Sequence, residues 1–254
     1  MRIITLLTDW ENDDYYKAVA KASILSKVSD VQIVDISHKA KQYHISRAAF
    51  LLESAINQFP KGSIHLFGII TVATEGSKVI IGEYNGQYII ANNNGLFNIL
   101  NIKFDKLVEV STPISNFPVA ESFAPLAVRL IKGESIDTIG NSILETAKFN
   151  TINPVVEEDR IICTVSYIDS YGNLLINIKK DFFEQTRKGR DFEILLNSLQ
   201  HKSNKISEHY NQVDEREIFS IFNSAGWLEI GIRMDNISKI LSITEETSII
   251  IKFL

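Results

Sequence analysis

The first half of the chain alternates short apolar runs with longer stretches of helical periodicity. Three runs are typical of strands buried in a parallel sheet, at residues 3–7, 31–36 and 64–70. Two stretches between them carry apolar side chains at helical spacing, at residues 15–27 and 45–58. This order predicts an α/β domain over residues 1–153, with a mostly parallel sheet and flanking helices.

A turn signal and a third helix complete this half. Asn85-Gly86 separates two strand-like runs, at residues 79–83 and 88–91. Asn-Gly favours a two-residue hairpin turn because both residues tolerate positive φ. A helix is expected at about 123–131, after which Asn153-Pro154 marks a change of pattern.

The second half, residues 154–254, is rich in strand patterns and poor in helical ones. Candidate strands cover residues 161–168, 174–178, 192–196, 218–222, 227–232 and 248–253. The polar stretch 197–217 is expected to be an exposed, mobile excursion. The second half is therefore predicted to be a smaller all-β, barrel-like domain.

Composition narrows the class of protein. The formal net charge of −5 argues against nucleic acid, which requires a basic surface. Cys163 is the one cysteine and lies in a strand-like run, so it predicts a core residue rather than a disulfide or zinc site. We also expect no signal peptide, no membrane span, a cytoplasmic location and no resident cofactor or metal.

An acidic cluster follows the first predicted strand, with Asp9, Glu11, Asp13 and Asp14. Ligands of open α/β sheets bind beyond the carboxyl ends of strands, where an Asp can accept hydrogen bonds from a ribose diol. The cluster could instead bind a cation, although the spacing lacks the Gly and Glu of an EF-hand. It could also be a solvated loop that caps the next helix.

Other polar positions allow simpler interpretations. His38 and His44 are six residues apart, a spacing that does not favour a metal pair. Three Asn- and Gly-containing segments each read first as a plain turn, at residues 92–95, 169–173 and 222–226.

Taken in order, these loops form a longer pattern. The N-terminal motifs are Leu7-Thr8-Asp9-Trp10-Glu11 with Asp14, Val34-Asp35-Ile36-Ser37-His38, Gln42-Tyr43, Asn92-Asn93-Asn94-Gly95 and Phe123-Ala124-Pro125. The C-terminal motifs are Asp169-Ser170-Tyr171-Gly172-Asn173 with Asn177-Ile178, and Asn223-Ser224-Ala225-Gly226-Trp227-Leu228-Glu229-Ile230. The pattern resembles that of the S-adenosyl-L-methionine (SAM) hydroxide adenosyltransferases, relatives of fluorinase and chlorinase, over nearly the whole chain.

The resemblance implies a reaction and a binding site. In this family water attacks the ribose C5′ of SAM and gives adenosine and methionine, in a homotrimer with sites between subunits. It implies that Asp9 holds the ribose hydroxyls, with Asp14 nearby, and that Tyr43 stacks over the ligand. In the second half it implies that Asp169 meets the methionine ammonium, Asn173 contacts adenine and Ser224 binds the carboxylate. Glu229 and the backbone from Ile232 would border the adenine.

The family's catalytic positions are replaced in this chain. Its Asp after the third strand falls on Ile70, or on Thr71 if the register shifts by one, its Arg on Ser77 or Lys78, and its His on Pro118. Glu11 stands where the family has Gly, and Asn93 where it has Asp. Ile70 and Pro118 cannot deprotonate or orient water, which leaves Glu75, Lys78 and Glu121 as nearby polar groups.

Two functions fit this combination. One is a weak or altered adenosyl-transfer enzyme that acts on SAM, and the other is a non-catalytic protein that binds SAM or adenosine.

Overall fold

The computed structural model describes residues 2–11, 15–71, 78–196 and 198–254, without the side chains of 198–200. The chain divides into two compact units, Met1–Thr151 and Ile152–Leu254. We call them the α/β unit and the β unit and describe each by itself.

The α/β unit is built on one mixed sheet. Its strands are β1 (Arg2–Thr8), β2 (Val31–Ser37), β3 (Ile64–Gly68), β4 (Lys78–Tyr84), β5 (Gln87–Asn92), β6 (Lys106–Ser111) and β7 (Asn141–Ser142). They are ordered β2-β1-β3-β5-β4-β6-β7, and β4 and β7 run opposite to the other described strands. The predicted mostly parallel α/β architecture is confirmed.

Helices cover both faces of this sheet. They are α1 (Tyr16–Leu25), α2 (Ile45–Ala55), α3 (Leu96–Ile99), α4 (Ala124–Ile131) and α5 (Ile136–Ile139). Alternate residues of β1 face opposite layers, so that Ile4 and Leu6 pack with α1 and α4 while Leu7 packs with α2 and α3. Burial on both faces explains why the central strands read as continuous apolar runs.

The Asn-Gly hairpin is confirmed. Strands β4 and β5 pair antiparallel up to Tyr84 and Gln87, with Asn85 at φ 51° and Gly86 at φ 74°. Positive φ at both central residues matches the right-handed twist of the flanking strands.

A buried histidine pairs two strands of the α/β unit. His65 on β3 is 1% exposed, with Nδ1 at 2.8 Å from Thr5 Oγ1 and Nε2 at 2.9 Å from Gln87 Oε1. Because the Gln87 carbonyl oxygen only accepts, Nε2–H donates and Nδ1 accepts from Thr5. Burial lowers the pKa of His65 to about 4, so the ring is neutral in the folded protein.

This histidine predicts acid sensitivity. Its pKa is about 4 when folded and 6.5 when unfolded, so the neutral ring stabilises the fold fully above pH 6.5. That contribution, about 3 kcal/mol, is lost as the pH falls towards 4. Urea unfolding of wild type and His65→Asn from pH 7 to pH 4 measures it. If the free energy of unfolding of His65→Asn falls with pH as steeply as that of wild type, His65 is not the group responsible.

The β unit is an antiparallel, nearly closed barrel-like sheet, as predicted. Its strands are β8 (Val155–Val156), β9 (Arg160–Ile168), β10 (Leu174–Lys179), β11 (Phe192–Leu196), β12 (Ser198–Ser203), β13 (Ile218–Phe222), β14 (Trp227–Ile232) and β15 (Ser248–Phe253). The order is β12-β11-β15-β9-β10-β14-β13, with β8 beside β9, and the helices are α6 (Lys180–Arg187) and α7 (Ile237–Ile240). Cys163 is buried in β9, as expected, and burial raises the pKa of its thiol to about 12.

Three details differ from the sequence-based expectations. The polar stretch 197–217 is not a wholly exposed excursion, because β12 pairs with β11 and Ser207 is buried. The third strand ends at Gly68 rather than at 70, since Ile70 leaves the extended region at φ 49°. Helix α6 was not expected, because Phe183 is its one buried residue and its apolar pattern is weak. Within the described residues no helix is long and apolar enough to cross a bilayer.

Candidate functional site

The carboxyl ends of four strands meet at one edge of the α/β sheet, which we call the carboxyl edge. Strands β2, β1, β3 and β5 are neighbours and parallel, so the residues that follow them lie along this edge. From β1 the chain goes to β2, on one side of β1, and then to β3, on the other side of β1. The topological switch point therefore lies between β1 and β3. Ligands of open α/β sheets bind outside such a point.

Asp9 and Tyr43, both carried over from the resemblance, meet at this edge. The Tyr43 backbone N–H donates to Asp9 Oδ2 at 3.2 Å, and the Tyr43 side chain is 72% exposed. Burial raises the pKa of Asp9, while the Tyr43 N–H opposes that rise. A half-buried carboxylate beside an exposed aromatic ring suits a ligand that presents hydroxyls next to a flat base.

His38 packs against the loop that follows β1. Its Nδ1 lies 2.6 Å from Thr8 Oγ1, and its ring is nearly parallel to Trp10, with ring centres 6.2 Å apart. Nε2 lies 3.3 Å from Asp35 Oδ1, but the approach does not have hydrogen-bond geometry. Burial lowers the pKa of His38, and Asp35 opposes this only in part. In the described part of the chain no group of three or more His, Cys, Asp or Glu side chains could hold a metal ion.

An aromatic cluster adjoins Asp9. The rings of Trp10, Tyr16 and Phe117 contact one another, with ring centres 5.2–5.9 Å apart. Pro118 follows Phe117 and caps a π-helical turn, Val119–Phe123, which leads into α4. Such turns are rare and frequently occur at functional sites.

Gly68 allows this turn to approach the sheet. A Cβ at Gly68 would lie 2.8 Å from the Val119 side chain and 3.0 Å from that of Thr8. The close approach brings the segment that begins at Phe117 to the ends of β1 and β3.

Glu11 adopts a backbone conformation that favours glycine. Its φ is 58°, and its side chain is exposed while its N–H donates to His38 O at 2.8 Å. A non-glycine residue with this φ is strained by about 1 kcal/mol. This explains in physical terms why a glycine suits this position in the family pattern.

Glu11→Gly should therefore stabilise the protein, by up to about 1 kcal/mol. Glu11→Ala is the matched control, because it removes the carboxylate but retains the Cβ that causes the strain. Urea midpoints of the two variants and wild type test this. Equal stabilisation by alanine and glycine would assign the effect to the charge instead.

Of the replaced catalytic positions and the polar groups near them, the structure describes Ile70, Lys78 and Glu121 as follows. Ile70 is a β-branched residue at φ 49°, which is an outlier for that residue type. Lys78 forms an ion pair with Glu109, and Glu121 Oε2 accepts from Ser115 Oγ at 2.5 Å. Asp14, Glu75 and Ser77 lie outside the described residues.

The loop after β5 is tied to neighbouring backbone. Asn94 Nδ2 donates to Ile69 O at 2.9 Å, and Asn93 Oδ1 accepts from the Ala147 N–H at 2.7 Å. Segment 92–95, first interpreted as a plain turn, therefore holds the segment after β3 in place.

The two C-terminal motifs meet in one hydrogen-bonded network around the buried Asn173 and Glu229, which we call the carboxylate–amide network. Asn173 Nδ2 donates to Glu229 Oε1 at 3.0 Å and to Asp169 Oδ2 at 3.3 Å. Asn223 Nδ2 donates to Glu229 Oε2 at 3.3 Å, and the Tyr210 hydroxyl donates to Glu229 Oε1 at 3.2 Å. The pairing of β10 with β14 joins motifs that are about fifty residues apart in sequence.

Burial raises the pKa values of two groups in this network, Glu229 and Tyr210. Glu229 is 5% exposed, and burial raises its pKa, while hydrogen bonds from Asn223, Tyr210 and Asn173 oppose the rise. Burial and the negative charge of Glu229 raise the pKa of Tyr210 to about 12, so the phenol remains a donor. Glu229 thus combines burial with three hydrogen-bond donors.

The other expected residues of this unit lie around the network. Ser224 is exposed in the turn after Asn223, and Ile232 is buried at the end of β14. Sequence reasoning missed two members. Asn223 had a signal, because it opens the Asn-Ser-x-Gly motif, whereas Tyr210 had none within its polar stretch.

Family comparisons match both units. Residues 4–140 match the SAM hydroxide adenosyltransferase N-terminal domain, and residues 163–250 match the C-terminal domain of the same family. An (R)-S-adenosyl-L-methionine hydrolase of Methanocaldococcus jannaschii is 29% identical over 259 residues, covering 95% of this chain and 92% of that protein. A hydrolase of the same name from Thermus thermophilus is 30% identical over 99 residues, or 36% of this chain and 39% of that protein.

Solved structures give the same fold. An uncharacterized conserved protein from Thermotoga maritima superposes with a TM-score of 0.87 at 25% identity, over 99% of this chain and all of that one. A conserved hypothetical protein from Thermus thermophilus has a TM-score of 0.76 at 20% identity over the full length of both chains, which supports the fold alone. Motifs, fold and family matches agree, and the chain belongs to the SAM hydroxide adenosyltransferase family.

Proposed function

We propose that this protein binds SAM and that it transfers the adenosyl group to water much more slowly than relatives with the full catalytic set. The observation that carries the binding half is the carboxylate–amide network, in which Asn173 bridges Asp169 and Glu229. A network with this many buried polar groups is costly unless each is satisfied. Residues of both C-terminal motifs form this network, which fits a retained ligand site.

The charges of the two units suit this ligand. SAM carries a sulfonium and an ammonium against one carboxylate, so it is a cation overall. The half-buried Asp9 and the Asp169–Glu229 pair supply negative charge where burial strengthens electrostatic attraction. In the proposed site Asp9 holds the ribose diol, Tyr43 stacks on the ligand and Asp169 meets the ammonium.

The remaining contacts are proposed in the same way. Asn173 contacts the adenine, with Glu229 and the backbone from Ile232 at its border. Ser224, exposed in its turn, binds the methionine carboxylate. Asp14 lies near the ribose by the same resemblance.

The reaction requires a nucleophile held in line with the C5′–sulfur bond. The leaving group is a neutral thioether, so it needs no acid, but the attacking water must lose a proton and be oriented. Ile70 and Pro118 offer no group for either task. Lys78 and Glu121 already have partners in Glu109 and Ser115. Glu75, the other nearby acid, lies outside the described residues. We propose that water attacks without the assistance that the replaced Asp, Arg and His give in the family.

A side-by-side assay tests this proposal. Purified protein and the M. jannaschii hydrolase are incubated with SAM, and adenosine and methionine are followed by chromatography. Loss of general-base assistance predicts a rate at least about a hundredfold below that of the hydrolase. A comparable rate would overturn the slow-transfer half. Saturable binding with no product above the buffer blank would show that the protein binds SAM or adenosine without catalysis, so that the transfer rate is zero rather than slow.

The assembly is a separate proposal. The family resemblance implies a homotrimer, and light scattering coupled to size exclusion measures the mass directly. A mass of three chains is expected, and a monomer would contradict this part.

A further inference from the structure

A cavity opens at the amino edge of the α/β sheet, opposite the carboxyl edge. It has a volume of about 320 Å³ and lies among residues that begin β1, precede β3 and end α4. That volume is at the lower end of the range found for small-molecule sites. The cavity lies wholly within the α/β unit.

Strand register places its polar groups at one mouth. Ile4 pairs with Ile64, and Ile64 pairs with Tyr88. Arg2 therefore lies across the start of β3 from Tyr88, two strand spacings sideways and two residues along the strand, or roughly 12 Å away. Arg2 and Ile4 are two residues apart and share a face of the sheet, the face on which Tyr88 packs against α4. Lys61 lies in the turn that leads into β3 and also lines the cavity.

Two cationic side chains line this mouth, Arg2 and Lys61. Neither Arg2 nor Lys61 forms an ion pair with any described residue, although the chain as a whole is acidic. Burial and the nearby Glu83 raise the pKa of Tyr88, so its hydroxyl is a donor. Glu83 pairs with Tyr88 from β4, on the side away from Arg2, and does not line the cavity.

The interior is apolar. Ile64 is 1% exposed, and Leu130 and Ile131 close the cavity from the last turn of α4. Arg129 in that turn is already paired with Glu134, so it adds no free charge. Cationic donors at the mouth and aliphatic side chains behind them suit an amphiphilic anion.

We propose that this cavity binds a small organic anion with an apolar body, a carboxylate or a phosphomonoester. Arg2 and Lys61 hold the anionic group, the Tyr88 hydroxyl donates to it, and the apolar body enters between β3 and α4. This inference does not depend on SAM binding, because it uses neither the carboxyl edge nor the β unit.

Binding of phenyl phosphate and phenylacetate to the full chain tests the proposal, with inorganic phosphate and benzyl alcohol as probes that each lack one half of the ligand. Calorimetry and amide shifts should show saturable binding of a phenyl anion, with shifts at residues 61–64 and 130–131. The double variant Arg2→Gln/Lys61→Gln should weaken it at least about tenfold, since both charge-assisted contacts are lost. Lys27→Gln/Lys188→Gln is the control and should change nothing.

Three results would overturn the proposal: no binding of either phenyl anion, equal binding to the double variant, or inorganic phosphate that binds as tightly as phenyl phosphate. The relative affinities of the two phenyl anions identify which anionic group the mouth prefers. SAM binding by the double variant should equal that of wild type, so the outcome is separable from that of the proposed function.

Discussion

Asn173→Ala is expected to weaken SAM binding by about 1–3 kcal/mol. The substitution removes the amide that donates to both Glu229 and Asp169 and leaves two largely buried carboxylate oxygens without that donor. The carboxylates of Asp169 and Glu229 also lose the amide that bridges and orients them. Calorimetric titration with SAM measures the loss.

Asn177→Ala is the matched control, because Asn177 lies four residues further along, in β10, and its side chain also makes two hydrogen bonds. Its partners are the Thr164 N–H and the Ile152 carbonyl, outside the carboxylate–amide network. We expect it to lower stability but not affinity for SAM. If Asn173→Ala leaves affinity unchanged, or if both variants lower it equally, the network is structural and the proposed site is wrong.

Gly172→Ala is expected to have the largest effect on folding, about 3 kcal/mol or more. Gly172 has φ 89°, and a Cβ there would lie 2.2 Å from the Asn236 side chain. Asn236 cannot yield easily, because its Oδ1 accepts from the Lys239 N–H and caps α7. The Asp169 loop must therefore move away from α7, which should also weaken SAM binding.

Gly189→Ala isolates the contribution of the backbone. Gly189 has φ 79°, similar to that of Gly172, but a Cβ there meets nothing within 4 Å. It should cost only the left-handed strain, about 1 kcal/mol. Urea midpoints of the two variants give the comparison, and equal losses would show that the contact with Asn236 does not determine the position of the loop.

The α/β unit could be predicted from sequence where pattern and burial agree. The central strands are buried on both faces, so their apolar runs stood out, and Asn85-Gly86 marked the hairpin. The C-terminal motifs were recognisable because Asp169, Asn173 and Glu229 stand in short segments that match the family pattern residue by residue. These features depend on residue type alone.

Other features depend on tertiary contacts that no local pattern reveals. Tyr210 reaches Glu229 from a polar stretch, and its hydroxyl finds a partner only because β13 and β14 are neighbours. The positive φ of Ile70 opposes its β-branched character, so its preference for strand predicted two residues too many in β3. Arg2 and Tyr88 are far apart in sequence, and the order of the parallel strands places both beside the same cavity.

The proposed function has two parts, retained binding of SAM and attack by water without the family's catalytic residues. Equilibrium dialysis against SAM, followed by chromatography of both chambers, measures bound SAM and released adenosine together. The account predicts saturable retention of intact SAM, reduced in Asn173→Ala, with adenosine forming at least about a hundredfold more slowly than with the M. jannaschii hydrolase. Failure to retain SAM, or turnover as fast as that of the hydrolase, would contradict it.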